Sequence, residues 1–460
     1  MNASRHARLG ALTAVLLALL PAALALWIHD RHAPSPLAAV PAAAAAPRAS
    51  APAASTAKHL GGRAIAKEVE RIRGMRFEHV PPIKVIGPGH VRHMQSHLVA
   101  KLTRRLAKKG KSLSSVRRRS DAGVEFAKLA GVVSPEFDAV QSAKDLVGSV
   151  AGEFKPGSRK VEVLATPGEG AVQVQTVIAH ELDHALDNSR FPEVFRAQQG
   201  SRNDERVLAL KALVEGTATV VAARFDARHG YQAAVAGGQL LSADNAGYGV
   251  PPALAAQFRF PYTSGVKFVQ ALYARGRGWR LVNAAFRRPP TTTAEILDPQ
   301  RWIHHSRFAK VRVGDSMPAP WRLVQQTVSG QLDAELILAL ALPANVATAA
   351  SRGWDGGGIA VWKRPGANSS CAPPCRQANA AVVADRWTSI ANAARFTAEL
   401  PTYLENRLGA NRTGTASWRV GDGFAAIALS GQGTALTFAP APTVAVRIAQ
   451  RAAREADGAR

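Results

Sequence analysis

Two histidines one helical turn apart, His180 and His184, carry the most specific chemical signal in this sequence of 460 residues. Residues i and i+4 of a helix lie on one face, so both imidazoles can point at a single metal ion. Zn²⁺ suits imidazole nitrogen, which it binds at about 2.0–2.1 Å. Glu181, beside the first histidine, is placed to take a proton from a zinc-activated water and pass it to a leaving amine. This is the chemistry of the H-E-x-x-H motif, and it predicts hydrolysis of peptide bonds.

The residues around the motif predict the helix that this chemistry needs. Apolar side chains recur at i, i+4 and i+8 between residues 171 and 187, which is the helical period. Upstream, residues 159–164 alternate between apolar and charged types, and together with 151–154 they predict a β-hairpin. The alternative is a surface helix with two solvated histidines. The order of strand and amphipathic helix favours the metal site.

A catalytic zinc site also needs a third protein ligand and an open coordination position. Glu215 is the candidate, because it lies in the apolar middle of the next predicted helix, residues 203–229, where a free carboxylate would be costly. Gly216 and Ala218 are small enough to allow close approach to the first helix. The alternative role for Glu215 is a structural ion pair with an arginine. Rival ligands lie near helix ends or in loops: Glu193, Asp204 and Glu205.

The chain is strongly basic, with a net charge of +25 and a pI near 11.0. Residues 58–119 hold 17 Lys or Arg against 3 Glu, a balance of +14. Such a segment favours anionic partners, namely cell-envelope polymers, lipid headgroups or acidic proteins. Nucleic acid is disfavoured, because the segment lacks interleaved aromatic residues and any recognised binding module.

The N-terminus reads as a targeting segment. Arg5 and Arg8 precede an apolar run that continues to residue 28, and Ala23-Leu24-Ala25 offers a signal-peptide cleavage site. Because about 20 apolar residues can span a bilayer, residues 1–28 have an uncleaved anchor as their alternative role. Residues 29–57 have the Ala/Pro-rich composition of a linker. Both alternatives predict export, to the cell envelope or the exterior.

Export bears on the two cysteines, Cys371 and Cys375. In an exported protein such a pair is expected to form a disulfide, here one that closes a small loop. A redox site or a metal-binding pair is the alternative, but no βαβ context and no further cysteine supports it.

At the histidine motif and Glu215 the sequence resembles the gluzincin type of metallopeptidase, which has its histidines on one helix and a glutamate ligand on the next. It resembles more closely a group of poorly characterised, exported bacterial proteins, over residues 65–400. The metzincin type is excluded, because Arg190 and Asp187 stand where it requires His and Gly. The segments that carry the closer resemblance are 151–154, 180–184, 212–216, 261–269 and 291–297.

The resemblance implies a mainly helical, zincin-like domain that contains a small sheet. Short β-like runs beyond about residue 315 predict a smaller α+β module after it, so we expect an α+β fold. We expect a targeting segment at residues 1–28, a linker at 29–57 and a basic N-terminal part of the fold at 58–120. The zincin-like domain should follow at 121–314, the α+β module at 315–450 and a charged tail at 451–460. Predicted helices outside the motif region include 59–76, 90–109, 125–150, 263–279 and 390–405, and predicted strands include 81–86, 359–362, 424–429 and 435–438.

The resemblance also implies a tyrosine or histidine that stabilises the oxyanion, and the candidates are Tyr262, His304 and His305. Two positions depart from the pattern of the relatives. Thr219 stands where gluzincins have an aspartate that orients a zinc histidine, a role that Asp183 or Asp187 can take over. Asp298 stands where the closer relatives have a histidine.

We therefore expect an exported, zinc-dependent peptidase that acts on peptide or protein substrates. The alternative is a non-catalytic, zinc-containing envelope protein that binds anionic polymers through its basic segment.

Overall fold

The computed structural model shows a chain that mixes helices and sheets. The residues that it describes are 60–86, 122–138, 152–155, 159–164, 171–201, 203–231, 251–313, 317, 319–365, 371 and 373–460. The predicted targeting segment, the linker, the helix at 90–109 and the second half of the helix at 125–150 lie outside these residues.

The helices of the described residues are α1 (Gly62–Arg73), α2 (Ala122–Leu129), α3 (Ala171–Arg190), α4 (Pro192–Gly200), α5 (Asp204–Arg228), α6 (Pro252–Gly276), α7 (Arg280–Arg287), α8 (Thr293–Leu297), α9 (Pro299–Ile303), α10 (Gln331–Ala339), α11 (Ala344–Ser351), α12 (Ile390–Leu408) and α13 (Pro442–Asp457). The strands are β1 (Ile83–Ile86), β2 (Gly152–Lys155), β3 (Lys160–Leu164), β4 (Arg322–Val328), β5 (Trp354–Lys363), β6 (Asn379–Trp387), β7 (Asn411–Arg412), β8 (Ser417–Val420), β9 (Gly423–Ser430) and β10 (Gly433–Ala439). The chain is therefore α+β, as predicted.

Within the described residues, none of the helices combines the length and the apolar character needed to cross a bilayer.

A small three-stranded sheet lies against the helices of the N-terminal half, in the order β1-β3-β2. β2 and β3 are antiparallel, with Phe154 opposite Val161, so the predicted hairpin is confirmed. β1 pairs with β3 in parallel and places Ile83 opposite Val161. Because β2 pairs only with β3 in this sheet, one of its two edges is left for contacts with the helices.

Helix α1 closes the core beside the sheet. Its apolar stripe of Ile65, Val69 and Ile72 packs in one cluster with Ile178 and Leu182 of α3. The predicted helix at 59–76 is thus confirmed, and its apolar residues belong to the core.

A buried ion cluster joins α1 to α3. Arg73 Nε lies 3.0 Å from Asp183 Oδ1, and another guanidinium nitrogen of Arg73 bonds Asp187. The guanidinium carbon lies 4.2 Å from the ring centroid of Trp279. All three charged side chains are almost completely buried. The cluster therefore ties the motif helix α3 to the N-terminal helix without access to water.

The glycines of α5 and α6 let these two helices approach closely. A Cβ on Gly265 would lie 2.3 Å from the carbonyl oxygen of Ala212, and one on Gly216 would lie 2.4 Å from the carbonyl carbon of Gly265. Any side chain at either position would therefore force the helices apart.

The predicted start of α6 at residue 263 is wrong, because the helix begins at Pro252 and runs through Pro261. Proline inside a helix removes one hydrogen bond and normally ends or bends the helix. Here Phe260, Pro261 and Tyr262 are all buried. Packing against the neighbouring helices therefore offsets the loss.

The C-terminal module is built on an antiparallel sheet in the order β4-β5-β6-β10-β9-β8-β7. One face packs against α12 in a core that includes Trp354, Trp387 and Phe396. The other face packs against the alanine-rich α13. The predicted strands and the helix at 390–405 are confirmed.

Two parts of the predicted domain division are wrong. The charged tail expected at 451–460 is largely the end of α13, whose Ala452 and Ala456 are fully buried against the sheet. Helix α2, assigned to the domain at 121–314, packs on the C-terminal module, where Phe126 and Leu129 join the core and the Tyr403 hydroxyl donates to the carbonyl of Ala130. The apolar stripe of a short helix does not specify which of two cores it joins.

A buried polar junction connects α5 to the C-terminal module. Thr293 donates to Glu205 through both its backbone nitrogen and its hydroxyl, and Leu332 N donates to the same hydroxyl. Gly330 packs directly on the Glu205 carboxylate, where a Cβ would lie 2.0 Å from Oε2. Burial and the charge of Asp333 raise the pKa of Glu205 to about 8.

We expect Arg73→Met to destabilise the protein by about 3–5 kcal/mol, because it leaves two buried carboxylates without their counter-charge. The control is Arg71→Met, which removes the exposed member of a pair with Glu68 and should cost about 1 kcal/mol or less, because Arg228 still pairs with Glu68. Urea unfolding of both variants measures the difference. Equal losses would contradict the structural role of the cluster.

We expect Glu205→Gln to stabilise the protein more at pH 9 than at pH 5, by about 1–3 kcal/mol. The raised pKa means that the stability associated with protonated Glu205 is present below pH 4.5 and is lost as the pH rises through about 8. Thermal unfolding of wild type and variant across this range measures the trend, with the exposed Glu193→Gln as control. A constant difference across the range would show that Glu205 stays ionised.

Candidate metal centre

The two histidines of the motif lie in the middle of α3 and share one face of it. Their ring centroids are 4.7 Å apart, with the rings edge to face. Each side chain is 11% exposed, so both are largely shielded from water. The helix ends at Arg190 rather than at the predicted residue 187, which leaves the motif far from a frayed end.

Helix α5 brings Glu215 to this pair of imidazoles. Glu215 Oε2 lies 3.3 Å from Nε2 of His180 and 3.3 Å from Nε2 of His184. The two helices run antiparallel, since Thr176, before the motif, hydrogen-bonds Asp226, after Glu215. In the described part of the chain, these three residues form the one group of metal-ligating side chains whose donor atoms all lie within 4.8 Å of one another. The structure thus brings the three predicted ligands together.

The charges of the cluster support one another. Burial acts to raise the pKa of Glu215, but the adjacent imidazoles of His184 and His180 outweigh it and hold this pKa well below its usual range. Burial acts to lower the pKa of His184, but the Glu215 carboxylate raises it to about 9. The metal-free cluster is therefore held by a proton that a cation can replace, as metal binding to histidine requires.

Glu181 lies on the side of the cluster that faces the sheet. Its Oε2 accepts a hydrogen bond of 2.6 Å from the backbone nitrogen of Phe154, on the edge strand β2. Burial raises the pKa of Glu181, and the neighbouring imidazoles oppose this shift without cancelling it. A fixed carboxylate with a raised pKa is suited to accept a proton near neutral pH.

Tyr262 reaches the cluster from α6. Its ring stacks beside His180, with 6.5 Å between the centroids. Burial, together with the charges of Glu215 and Glu181, raises the pKa of Tyr262 well above its ordinary value, so the phenol keeps its proton. The rival candidates His304 and His305 are exposed in the turn after α9.

The two aspartates predicted to orient a histidine in place of Thr219 have another role. Asp183 and Asp187 both pair with Arg73, and within the described residues no hydrogen bond joins either of them to His184. His184 Nδ1 and Thr219 Oγ1 are each buried without a hydrogen-bond partner in this part of the chain. The prediction that Asp183 or Asp187 orients a zinc histidine through a direct hydrogen bond is therefore wrong.

The remaining predicted residues lie elsewhere. Glu193 forms an exposed pair with Arg196, and Glu205 belongs to the junction with Thr293. Asp298 caps α9 by accepting from Gln300 N. Cys371 and Cys375 form a bonded pair in the connection between β5 and β6. None of these side chains belongs to the cluster.

Sequence reasoning missed three residues around the cluster: Phe154, Arg73 and Lys211. Lys211 could have been identified from the sequence, because it is a charged residue in the same apolar stretch of α5 that contains Glu215. It is 8% exposed, and burial lowers its pKa to about 8. Phe154 acts through its backbone and Arg73 through a partner distant in sequence, so neither could be found from local patterns.

Residues 321–451 match the model of a family described as Domain of unknown function (DUF8575). The match begins at the edge strand of the seven-stranded sheet and ends within α13, so it coincides with the C-terminal module. No curated protein and no solved structure matches the chain. The residues of the metal cluster lie outside the matched segment.

Proposed function

We propose that this protein is a zinc-dependent peptidase that uses His180, His184 and Glu215 as metal ligands and Glu181 as proton acceptor. The observation that carries the proposal is the position of the Glu215 carboxylate, 3.3 Å from the Nε2 atoms of both histidines. Three ligands from two rigid, antiparallel helices form a preorganised set, which the two histidines alone would not provide.

The donor set fits Zn²⁺. Two imidazole nitrogens and one carboxylate oxygen are the protein ligands of a common type of catalytic zinc site, which keeps a fourth position for water or substrate. All three side chains are largely buried, so few water molecules compete for the donors. The proton acceptor Glu181 lies beside them on α3, and the hydrogen-bond donor Tyr262 lies beside them on α6.

Each residue of the site has a separate task in the proposed reaction. Zn²⁺ supplies Lewis-acid chemistry, which lowers the pKa of water to about 7 and polarises a carbonyl group. Glu181 accepts the proton of the attacking water at its carboxylate and delivers it to the leaving amine. The hydrogen bond from Phe154 N holds this carboxylate in place. Tyr262 keeps its phenolic proton and can donate a hydrogen bond to the developing oxyanion.

The arrangement of elements supports a zincin-like domain of the gluzincin type as part of the proposal. The edge of a small sheet contacts the motif helix, and the next helix supplies the glutamate. The site departs from that type at Thr219, and within the described residues His184 Nδ1 has no hydrogen-bond partner.

That unpartnered nitrogen favours a second candidate function. Supporting hydrogen bonds orient metal-bound histidines and raise their basicity, so a site without one has weaker control of the metal. The protein would then be an exported, non-catalytic zinc protein that binds anionic envelope polymers through its basic segment. Salt-sensitive sedimentation with cell-wall polymer or anionic vesicles that is the same in wild type and Glu181→Gln would favour this candidate.

We expect the purified wild-type protein to bind one zinc ion per chain and Glu215→Gln to lose affinity by more than about 100-fold, because loss of a merely supporting residue already costs about 10–100-fold. Competition with a chromogenic chelator measures both values. The control Glu193→Gln makes the same substitution at an exposed glutamate and should bind zinc as wild type does. Equal affinity of all three proteins would exclude Glu215 as a ligand.

We expect Glu181→Gln to keep one zinc ion per chain and to lose about 10²–10⁴-fold in kcat, because it removes the proton acceptor and leaves the ligands in place. Mass spectrometry of a broad peptide library measures cleavage by wild type and variant at equal zinc content. If wild type holds zinc stoichiometrically and cleaves no peptide, the proposed function fails.

A further inference from the structure

Lys211 is a buried cation one helical turn before Glu215 on α5. The residue is 8% exposed, between Leu210 and Ala212, which are fully buried. In the part of the chain that the structure describes, it forms no salt bridge and no hydrogen bond. A largely buried ammonium group without a partner is costly, and an anion that binds it would offset this cost.

Glu215 is the one acidic side chain that acts electrostatically on Lys211 among the described residues. The Glu215 carboxylate, however, already contacts His180 and His184 at 3.3 Å. The charge of a carboxylate that binds a metal cation is also partly neutralised by that cation. Lys211 is therefore left without a dedicated counter-ion in the proposed zinc-bound protein.

The helix fixes where an anion bound by Lys211 would lie. Side chains at i and i+4 share a face, with about 5–6 Å between their Cβ atoms. An extended peptide advances by about 3.3–3.6 Å per residue. An anionic group that reaches Lys211 would thus lie within a few residues of a peptide bond that is held at Glu215 and the histidines.

We propose that Lys211 binds a carboxylate of the substrate and makes the site selective for peptides that carry a negative charge next to the cleaved bond. The inference rests on the proposed function. The carboxylate is either the C-terminus of the peptide or the side chain of an Asp or Glu residue. Both are oxygen anions of the kind that a compact ammonium with three donors binds.

The packing of α5 is consistent with this role. Gly216 and Gly265 place the backbones of α5 and α6 in close contact, one residue after Glu215. The alternative is that Lys211 only adjusts the charge around Glu215. In that case its removal would change metal affinity and would not change the choice between charged and neutral peptides.

The test compares matched peptides in two arms, on the zinc-loaded, full-length protein. One arm sets a free C-terminal acid against its amide, and the other sets Asp or Glu against Asn or Gln at each position beside the cleaved bond. We expect wild type to prefer the charged member by roughly 10–100-fold in kcat/KM in one of the two arms, as for a hydrogen bond to a charged group. Equal rates for charged and neutral members in both arms would overturn the proposal, and this comparison needs no variant.

The variants assign the preference to Lys211. We expect Lys211→Met, which keeps the length and apolar stem of the side chain, to lose the preference, and Lys211→Arg to keep part of it. Lys267→Met, an exposed lysine on α6, is the control and should keep all of it. A preference that survives in Lys211→Met would contradict the proposal. Zinc stoichiometry and the thermal unfolding midpoint verify that each variant is folded.

A binding measurement separates this inference from the proposed function. Calorimetry with zinc-loaded Glu181→Gln gives the Kd of the same peptide pairs without turnover. Tighter binding of the charged member, lost in the double variant Glu181→Gln/Lys211→Met, would support the role of Lys211 even if wild type cleaves nothing. Cleavage by wild type with equal Kd values for both members would retain the peptidase and exclude the carboxylate site.

Discussion

The contact between Glu215 and the two motif histidines is the interaction on which the site depends. A carboxylate in the apolar middle of α5 would be costly alone, and two imidazoles on α3 would be a weak metal site alone. The antiparallel packing of the two helices brings their donor atoms within 4.8 Å of one another. The same contact sets the protonation of the metal-free cluster, because Glu215 raises the pKa of His184 to about 9.

The surrounding structure holds these two helices in place. Behind α3, Arg73 neutralises part of the charge of Asp183 and Asp187 and links the helix to α1. Behind α5, Gly216 and Gly265 allow α6 to approach until Tyr262 reaches His180. On the side that faces the small sheet, the edge strand β2 binds Glu181 through the nitrogen of Phe154. Each neighbour of the cluster therefore comes from a different segment of the chain.

Much of this could be predicted from local patterns. The spacing of His180 and His184 gave the metal face, and the cost of burying a carboxylate identified Glu215. The start of α6 was misjudged, because tertiary packing of Pro261 overrides its local preference. The partners of Asp183 and Asp187 could not be inferred, since Arg73 lies more than a hundred residues away and its charge resembles many others. Lys211 was overlooked, although the argument used for Glu215 applies to it equally.

The most direct test of the central claim is X-ray absorption at the zinc edge of the zinc-loaded protein, compared with Glu215→Gln. We expect the wild-type spectrum to show two imidazole ligands and oxygen ligands, at about 2.0–2.2 Å, without sulfur. In Glu215→Gln the zinc should be absent or held by the imidazoles and water. A wild-type spectrum with fewer than two imidazoles, or one unchanged in Glu215→Gln, would contradict a metal centre built from His180, His184 and Glu215.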